Sequence, residues 1–326
     1  MRRAHGTLVV LALAAGASAD GLEGQHCGSP HGVVAGSAEA AAMRFVSFAP
    51  GLRPIRTNTP GTGVFIGSGI LARVLWDRRS AEGVELEDAT AVVDLRYTPR
   101  THWVVGARLP VVLSRVLRGS GIGSPSTSGI GSLSLGVKHR FYRSVGRWSD
   151  RHAAVEVEVD LPVGRADPDL PSALDPFVRD RLRPSQGSVD WSVDLVYQEG
   201  RRRFVYGADA LYRRSGEGEE GYRRGDAARF SFDLEYVLYP FEYRRPGHEI
   251  FVLLEGVLVR HAEDAVDGRT VAGSGRSELL LAPGIQHVAT ERTLLSVSLQ
   301  FPVWSDLGDR ELERDINLLA EIRRAF

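Results

Sequence analysis

The chain has a single cysteine, Cys27, among its 326 residues. One cysteine cannot form an intrachain disulfide, so a disulfide framework is excluded. No apolar run of about 20 residues occurs, which excludes a polytopic helical membrane protein. Lysine and arginine number 40 against 41 aspartate and glutamate residues, a net charge of −1. The chain therefore lacks the basic excess typical of a protein that binds nucleic acid.

The N-terminus has the three parts of a secretory signal peptide in order. Arg2 and Arg3 are followed by an apolar stretch, residues 7–16, and by the cleavage pattern Ala-Ser-Ala at 17–19. The sequence therefore predicts a signal peptide over 1–19, and the mature protein is expected to be exported from the cytoplasm.

From Gly63 onward, apolar residues recur at every second position, which predicts β-strands with one apolar face. In the clearest segment, residues 153–161, small and branched apolar residues alternate with Glu156, Glu158 and Asp160. The chain also has 36 glycines, as expected for a fold with many turns. Twelve strands are predicted, over 64–76, 89–98, 102–116, 130–142, 152–163, 188–198, 203–213, 228–240, 249–260, 277–288, 293–303 and 314–326.

The connections between these strands are predicted to alternate in length. The long ones are 77–88, 117–129, 164–187, 214–227, 261–276 and 304–313. The short ones are 99–101, 143–151, 199–202, 241–248 and 289–292. Long loops at one end and short turns at the other are typical of outer-membrane β-barrels. A closed barrel also leaves no strand edge exposed to lipid.

Aromatic residues near the strand ends support the same interpretation, because membrane barrels carry aromatic girdles at both interfaces. The predicted fold is all-β, a transmembrane antiparallel β-barrel of about twelve strands over 63–326, with both termini in the periplasm. Residues 20–62 are predicted to be an N-terminal periplasmic extension. The expected partners are the lipid bilayer of the outer membrane and the barrel-assembly machinery, which would recognise the terminal Phe326.

The alternation places charged side chains inside the barrel. Strands 1 to 4 are predicted to send mainly basic side chains inward, and strands 5 to 9 mainly acidic ones. Ion pairs between these two walls are expected to narrow or close the passage, because charges attract more strongly in a partly dry interior; solvated charges around a wide channel are the alternative. The candidate lumen-lining residues are Arg96, Arg108, Lys138, Arg140, Glu156, Glu158, Asp194, Asp233, Glu235 and Glu255.

The connection 164–187 is unusually apolar, and Asp175-Pro176 in it is a helix-start signal. It is expected either to fold inward as a lid or constriction, or to pack on the barrel rim. His26, Cys27 and His31 form a small cluster with soft ligands, but its spacing matches no established metal site. No metal site, cofactor or catalytic residue is predicted, since no Ser–His pairing or nucleophile elbow occurs and His261 has no serine near it in sequence.

Three segments resemble the outer-membrane barrel family named for the meta-pathway of phenol degradation. The segment 129–141, GIGSLSLGVKHRF, is similar to the family's G-x-G-D-x-x-L-G-x-K-Y-R-F strand, with Ser132 and His139 as departures. The segment 281–286, LAPGIQ, is similar to L-x-P-G-x-Q, and 299–326 resembles the closing hairpin, with Arg324 where an aromatic is expected. The resemblance implies a transporter or channel for hydrophobic or aromatic compounds.

The sequence thus predicts a non-enzymatic outer-membrane channel or transporter for small molecules of unknown identity. A closed structural or adhesive barrel without transport is the alternative, and an outer-membrane hydrolase is a third class.

Overall fold

The computed structural model describes residues 68–81, 83–100, 102–119, 124–146, 149–164, 170, 175–201, 203–240, 248–290 and 292–326. The predicted signal peptide, the extension and the cluster of His26, Cys27 and His31 all lie outside these residues. Among the described residues, no helix is long and apolar enough to cross a membrane.

Twelve of the described strands form the wall of one sheet, and four short strands accompany them. The wall contains β1 (Gly69–Ala81), β2 (Val84–Arg100), β3 (Trp103–Gly119), β5 (Leu133–Val145), β6 (Ser149–Leu161), β7 (Asp190–Arg201), β8 (Phe204–Arg214), β10 (Ala227–Tyr239), β11 (Glu249–His261), β14 (Arg276–Thr290), β15 (Thr293–Leu307) and β16 (Glu313–Ala325). The short strands are β4 (Ser126–Ile130), β9 (Tyr222–Arg223), β12 (Ala265–Val266) and β13 (Arg269–Thr270), and the helix α1 is Pro176–Leu182.

The sheet closes on itself as an antiparallel barrel, which confirms the predicted fold. Each wall strand pairs with its predecessor and successor, and β1 pairs with both β2 and β16. The short strand β4 pairs with β3, as β5 does, so β4 and β5 act as one interrupted strand. The strands β9, β12 and β13 form a separate small sheet in the loops.

Loops and turns occupy opposite ends of the barrel. The connections 101–102, 146–148, 202–203, 240–248 and 291–292 lie at the end that holds Gly69 and Ala325, which are paired in register. The longer connections 120–125, 162–189, 215–226 and 262–275 lie at the other end. Short turns are periplasmic and long loops external in such barrels, so we call these ends the periplasmic end and the outer end.

The predicted long connection 77–88 is wrong, because β1 and β2 continue to a turn at residues 82–83. Charged side chains in this stretch pair across neighbouring strands and so sustain the sheet. Arg78 Nε lies 3.1 Å from Glu85 Oε1, and Arg118 Nη1 on β3 lies 2.9 Å from Glu87 Oε2. Because these positions are charged, they lack the alternation of apolar residues from which a strand is predicted. The predicted loop 304–313 likewise shortens to 308–312.

The outer face of the barrel is apolar. Outward-facing residues such as Val157 and Phe232 are 48% and 43% exposed, whereas their inward neighbours are buried. Tyr97 and Trp103 flank the 101–102 turn, and Tyr197 and Phe204 flank the 202–203 turn, all of them exposed. This is the aromatic girdle expected at the periplasmic interface.

Candidate functional site: the barrel interior and its outer mouth

Strand pleating sends alternate side chains into the barrel, and the ten predicted lumen residues lie on that inward phase. Nine of them have at most 9% of their surface exposed, and Arg108 has 15% of its side chain exposed. They are carried by β2, β3, β5, β6, β7, β10 and β11. Charged side chains therefore occupy much of the interior, and apolar side chains such as Phe251 and Leu294 fill another part of it.

The basic side chains are neutralised by acids close to them on the wall. Arg96 Nε lies 3.1 Å from Asp94 Oδ1 on the same strand. Lys138 Nζ lies 3.0 Å from Glu156 Oε2, its cross-strand partner on β6. Arg108 on β3 pairs with Glu158. These ion pairs lie between β2 and β6, where the strands with mainly basic inward side chains meet those with mainly acidic ones.

The acidic group continues around the wall. Asp194, Asp209 and Arg229 form a cluster in which Arg229 Nη2 lies 3.0 Å from Asp209 Oδ2. On β10 and β11, Asp233 and Glu255 are register partners and face the same interior. Gly207 lies beside Asp233, and a Cβ on this glycine would come 2.0 Å from Asp233 Oδ1. Glycine here leaves the carboxylate room against the wall.

The strands β14 to β16 contribute polar residues that the sequence reasoning missed. Arg314 Nη1 donates to Gln300 Oε1 at 2.9 Å, and Arg73 Nη2 lies 3.2 Å from Glu321 Oε2. The alternation of residues along β15 could have identified these polar residues, because the exposed Leu295, Val297 and Leu299 alternate with residues that face the interior. The interior polar residues of this region include Gln286, Ser296, Ser298, Gln300, Asn317, Glu321 and Arg323, all at most 8% exposed.

The loop between β6 and β7 contains the predicted helix start. Helix α1 is Pro176–Leu182, and its N-cap Asp175 accepts a hydrogen bond from the Phe177 backbone N at 2.9 Å. Proline at the first helical position and a carboxylate at the N-cap both favour this start. We call residues 175–188 the lid.

One side of the lid packs on the strand ends of β2 and β3. Leu182 is fully buried and forms an apolar cluster with Leu86 and Leu117. Arg115 Nη1 donates to the backbone oxygen of Arg183 at 2.8 Å. Ser132, at the break between β4 and β5, shares a hydrogen bond of 3.1 Å with Ser185 of the lid.

Ion pairs tie the other side of the lid to the remaining outer loops. Asp180 Oδ2 lies 2.6 Å from Arg224 Nε in the 215–226 loop. Arg181 Nη2 lies 3.5 Å from Asp264 Oδ2 in the 262–275 loop and pairs with Glu311 in the 308–312 loop. The lid therefore contacts three loops beyond its own.

These contacts place the lid across the mouth. The lid's loop follows the fifth wall strand, and the 308–312 loop follows the eleventh, six positions away in a ring of twelve. The Arg181–Glu311 pair thus joins opposite sides of the barrel. The loop thus shows features of both expected arrangements, since it packs on the rim at β2 and β3 and also reaches the loops on the opposite side of the mouth.

The loops that receive the lid are themselves connected through Asp264. Its carboxylate accepts from the Gly225 backbone N at 2.7 Å and from the Tyr222 hydroxyl. Burial, together with the hydrogen bond to Asp264, raises the pKa of the Tyr222 phenol. The phenol therefore stays neutral and keeps donating even at pH values where a free tyrosine begins to ionise.

The other sequence candidates are not assembled into a chemical site. His261 lies at the outer end of β11, where Arg276 Nη2 lies 3.3 Å from its Nε2. His139, a departure from the family pattern, stacks on Trp103 with ring centroids 4.2 Å apart. Within the described ranges, no group of three or more histidine, cysteine or acidic residues is arranged to hold a metal ion.

Among solved structures, the chain is similar to the COG4313 outer membrane channel from Pseudomonas putida F1. The TM-score is 0.61 at 15% identity, over 83% of this chain and all of that one. The β-domain of the Bordetella autotransporter BrkA matches with a TM-score of 0.47 at 9% identity, over 80% of this chain and all of that one. No curated protein sequence matches the chain.

The closed barrel and its apolar exterior place the protein in the outer membrane, with the lipid bilayer as its environment. A family model matches residues 32–310, which is most of the chain. The chain therefore belongs to the family described as "Putative MetA-pathway of phenol degradation".

Proposed function

We propose that this protein is a channel for small molecules across the outer membrane, and that the lid gates its outer mouth. The observation that carries the proposal is the Arg181–Glu311 pair, which fastens α1 to the opposite side of the barrel. Ion pairs and one apolar cluster hold the cover without a covalent link, and the arginines of these pairs, Arg181 and Arg224, keep 22% and 28% of their side-chain surface exposed, so the cover can detach. A permanently closed barrel would have no need for such a separable cover.

The substrates we propose are small aromatic molecules that carry a polar or ionised group. The family description and the similarity to an outer-membrane channel support the class of small molecules. The interior supports the polar group, since charged and amide side chains such as Lys138, Glu235 and Gln286 line it. A wholly apolar solute would gain nothing from these groups and would displace their hydration.

A structural or adhesive barrel without transport is the second candidate. The close packing of charges inside the barrel favours it, because Lys138 and Glu156 form a buried pair that fills part of the interior. The two candidates differ in whether loosening the lid opens a path.

Conductance in planar bilayers tests the proposal. The wild-type protein is expected to show small and infrequent openings. The double substitution Arg181→Gln and Arg224→Gln removes three lid contacts and should raise the open fraction at least several-fold. The control is Arg78→Gln, which removes two more exposed ion pairs, to Glu85 and Asp315, on the outside of the wall at the same end.

An increase with the double variant and not with Arg78→Gln supports the gated channel. The absence of conductance in all three proteins, each shown to be folded by its heat-modifiable mobility on gels, would overturn the proposal and favour the structural barrel. Large and steady conductance in the wild type would overturn the lid as a gate.

A further inference from the structure

The outward face of β7, β8, β10 and β11 carries an aromatic and apolar patch near the outer end. Trp191, Tyr212, Phe230 and Leu258 are between 40% and 50% exposed. The rings of Trp191 and Tyr212 meet edge to face, with centroids 5.9 Å apart. These residues mark the outer interface of the bilayer on this side, where aromatic rings of membrane barrels lie.

Two arginines lie just beyond this patch on the same outward face. Arg214 is two residues beyond Tyr212 on β8 and is the register partner of Trp191. Arg260 is two residues beyond Leu258 on β11, and Ala228 on β10 lies between Arg260 and Tyr212. Both arginines are exposed, and neither guanidinium group forms an ion pair or a hydrogen bond with another described residue.

The acids near these arginines do not neutralise them. Asp226 accepts from the Tyr212 hydroxyl at 2.9 Å and pairs with Arg223 at 3.1 Å. Burial alone would raise the pKa of Asp226, but these two hydrogen bonds hold it below its usual value. Asp306 lies two strands from Arg260, across Ser277. The patch therefore carries surplus positive charge.

The outward arginines on the opposite side of the barrel show that the surplus of positive charge is confined to this patch. Above Trp76 on β1, the outward arginines at the same end are paired with acids. Arg78 lies 3.1 Å from Glu85 and 3.3 Å from Asp315, and Arg118 pairs with both Glu85 and Glu87. The wall of β1 to β3 is thus self-neutralised, whereas the wall of β8 to β11 presents unpaired guanidinium groups.

We infer that Arg214 and Arg260, with the aromatic patch below them, bind the phosphate groups of lipopolysaccharide in the outer leaflet. Guanidinium groups bind phosphate oxygens in bidentate geometry. The two Cα positions are about 12 Å apart, from two strand spacings and a two-residue offset. That spacing allows the side chains to contact two phosphates of one glycolipid, while its acyl chains pack on Phe230 and Leu258.

Lipid A tests the inference independently of transport. Thermal unfolding in detergent is followed by the heat-modifiable gel shift, with bisphosphorylated or dephosphorylated lipid A added. Bisphosphorylated lipid A is expected to raise the unfolding temperature of the wild type, and dephosphorylated lipid A much less. The double variant Arg214→Gln and Arg260→Gln should bind bisphosphorylated lipid A at least ten-fold more weakly. The double variant Arg78→Gln and Arg118→Gln removes the same two charges from the opposite wall; it is the matched control and should bind like the wild type.

Equal binding of the two lipids would overturn the inference, since only the acyl chains would then matter. Equal losses in the double variant of the patch and in the control Arg78→Gln and Arg118→Gln would also overturn it, because binding would then follow net charge rather than this patch. Native mass spectrometry counts the bound lipid directly, and one phosphate-dependent lipid per chain is expected.

Discussion

The outward phase of β6 makes a quantitative prediction at Val157. Its side chain is 48% exposed on the lipid face, and its register partners Val137 and Val193 are exposed beside it. On the same strand pair, Trp191 lies opposite Val159 and Tyr197 opposite Ala153. Val157 therefore lies between the two aromatic girdles, near the middle of the bilayer.

Val157→Arg introduces a charge at this depth. The expected cost is about 2–4 kcal/mol, falling to about 0–1 kcal/mol near the interfaces. A loss of this size lowers the folding equilibrium constant by roughly 30-fold to 1,000-fold. Val189→Arg is a matched control, because Val189 is 55% exposed and lies two residues beyond Trp191 on the outer side.

Reversible urea unfolding in lipid vesicles, followed by tryptophan fluorescence, measures both variants. Val157→Arg is expected to cost about 1–4 kcal/mol more than Val189→Arg. Similar costs at the two positions would refute the assignment of Val157 to the bilayer interior.

Three further predictions concern the interior and the loops. Changing the interior arginines Arg96, Arg108 and Arg140 to serine should raise conductance in planar bilayers, because the shorter side chains leave more of the passage open. Unchanged conductance would contradict a passage filled by charged side chains. Glu156→Gln removes the carboxylate that lies 3.0 Å from Lys138 Nζ, a side chain that is 1% exposed, and should lower the free energy of unfolding in vesicles by about 3 kcal/mol; a cost under about 1 kcal/mol would count against a buried ion pair. Gly225→Ala would put a Cβ 1.9 Å from the Ala262 carbonyl oxygen and should increase proteolysis of the outer loops, whereas Gly200→Ala, with open space around it, should not; equal cleavage would contradict the loop contact.

Much of the barrel could be predicted because one face of each strand must meet lipid. That requirement produced the apolar alternation in β6, β7 and β10, and it fixed which residues face inward. The outer ends of β1 and β2 could not be predicted in this way, since Arg78 pairs with Glu85 there and Glu87 pairs with Arg118 on β3. A strand held by ion pairs leaves no period of apolar residues to detect.

For the interior, the sequence could predict which side chains face inward, but not which of them contact one another. The sequence placed Lys138 and Glu156 inside, but their pairing depends on the register of β5 against β6. The lid was harder, because its anchors Glu311 and Asp264 are distant in sequence and are brought together only by closure of the ring. The helix start at Asp175-Pro176 was visible because capping is local.

A reversible lock on the lid tests the gated channel most directly. Leu117 and Leu182 pack in one apolar cluster, so cysteines at these positions, with Cys27 replaced by alanine, should form a disulfide between the wall and the lid. Uptake of benzoate into proteoliposomes is measured before and after reduction of the same sample. We expect uptake to be low when the disulfide is formed and to rise several-fold on reduction. Equal uptake in the oxidised and reduced states would contradict the lid as the gate of this barrel.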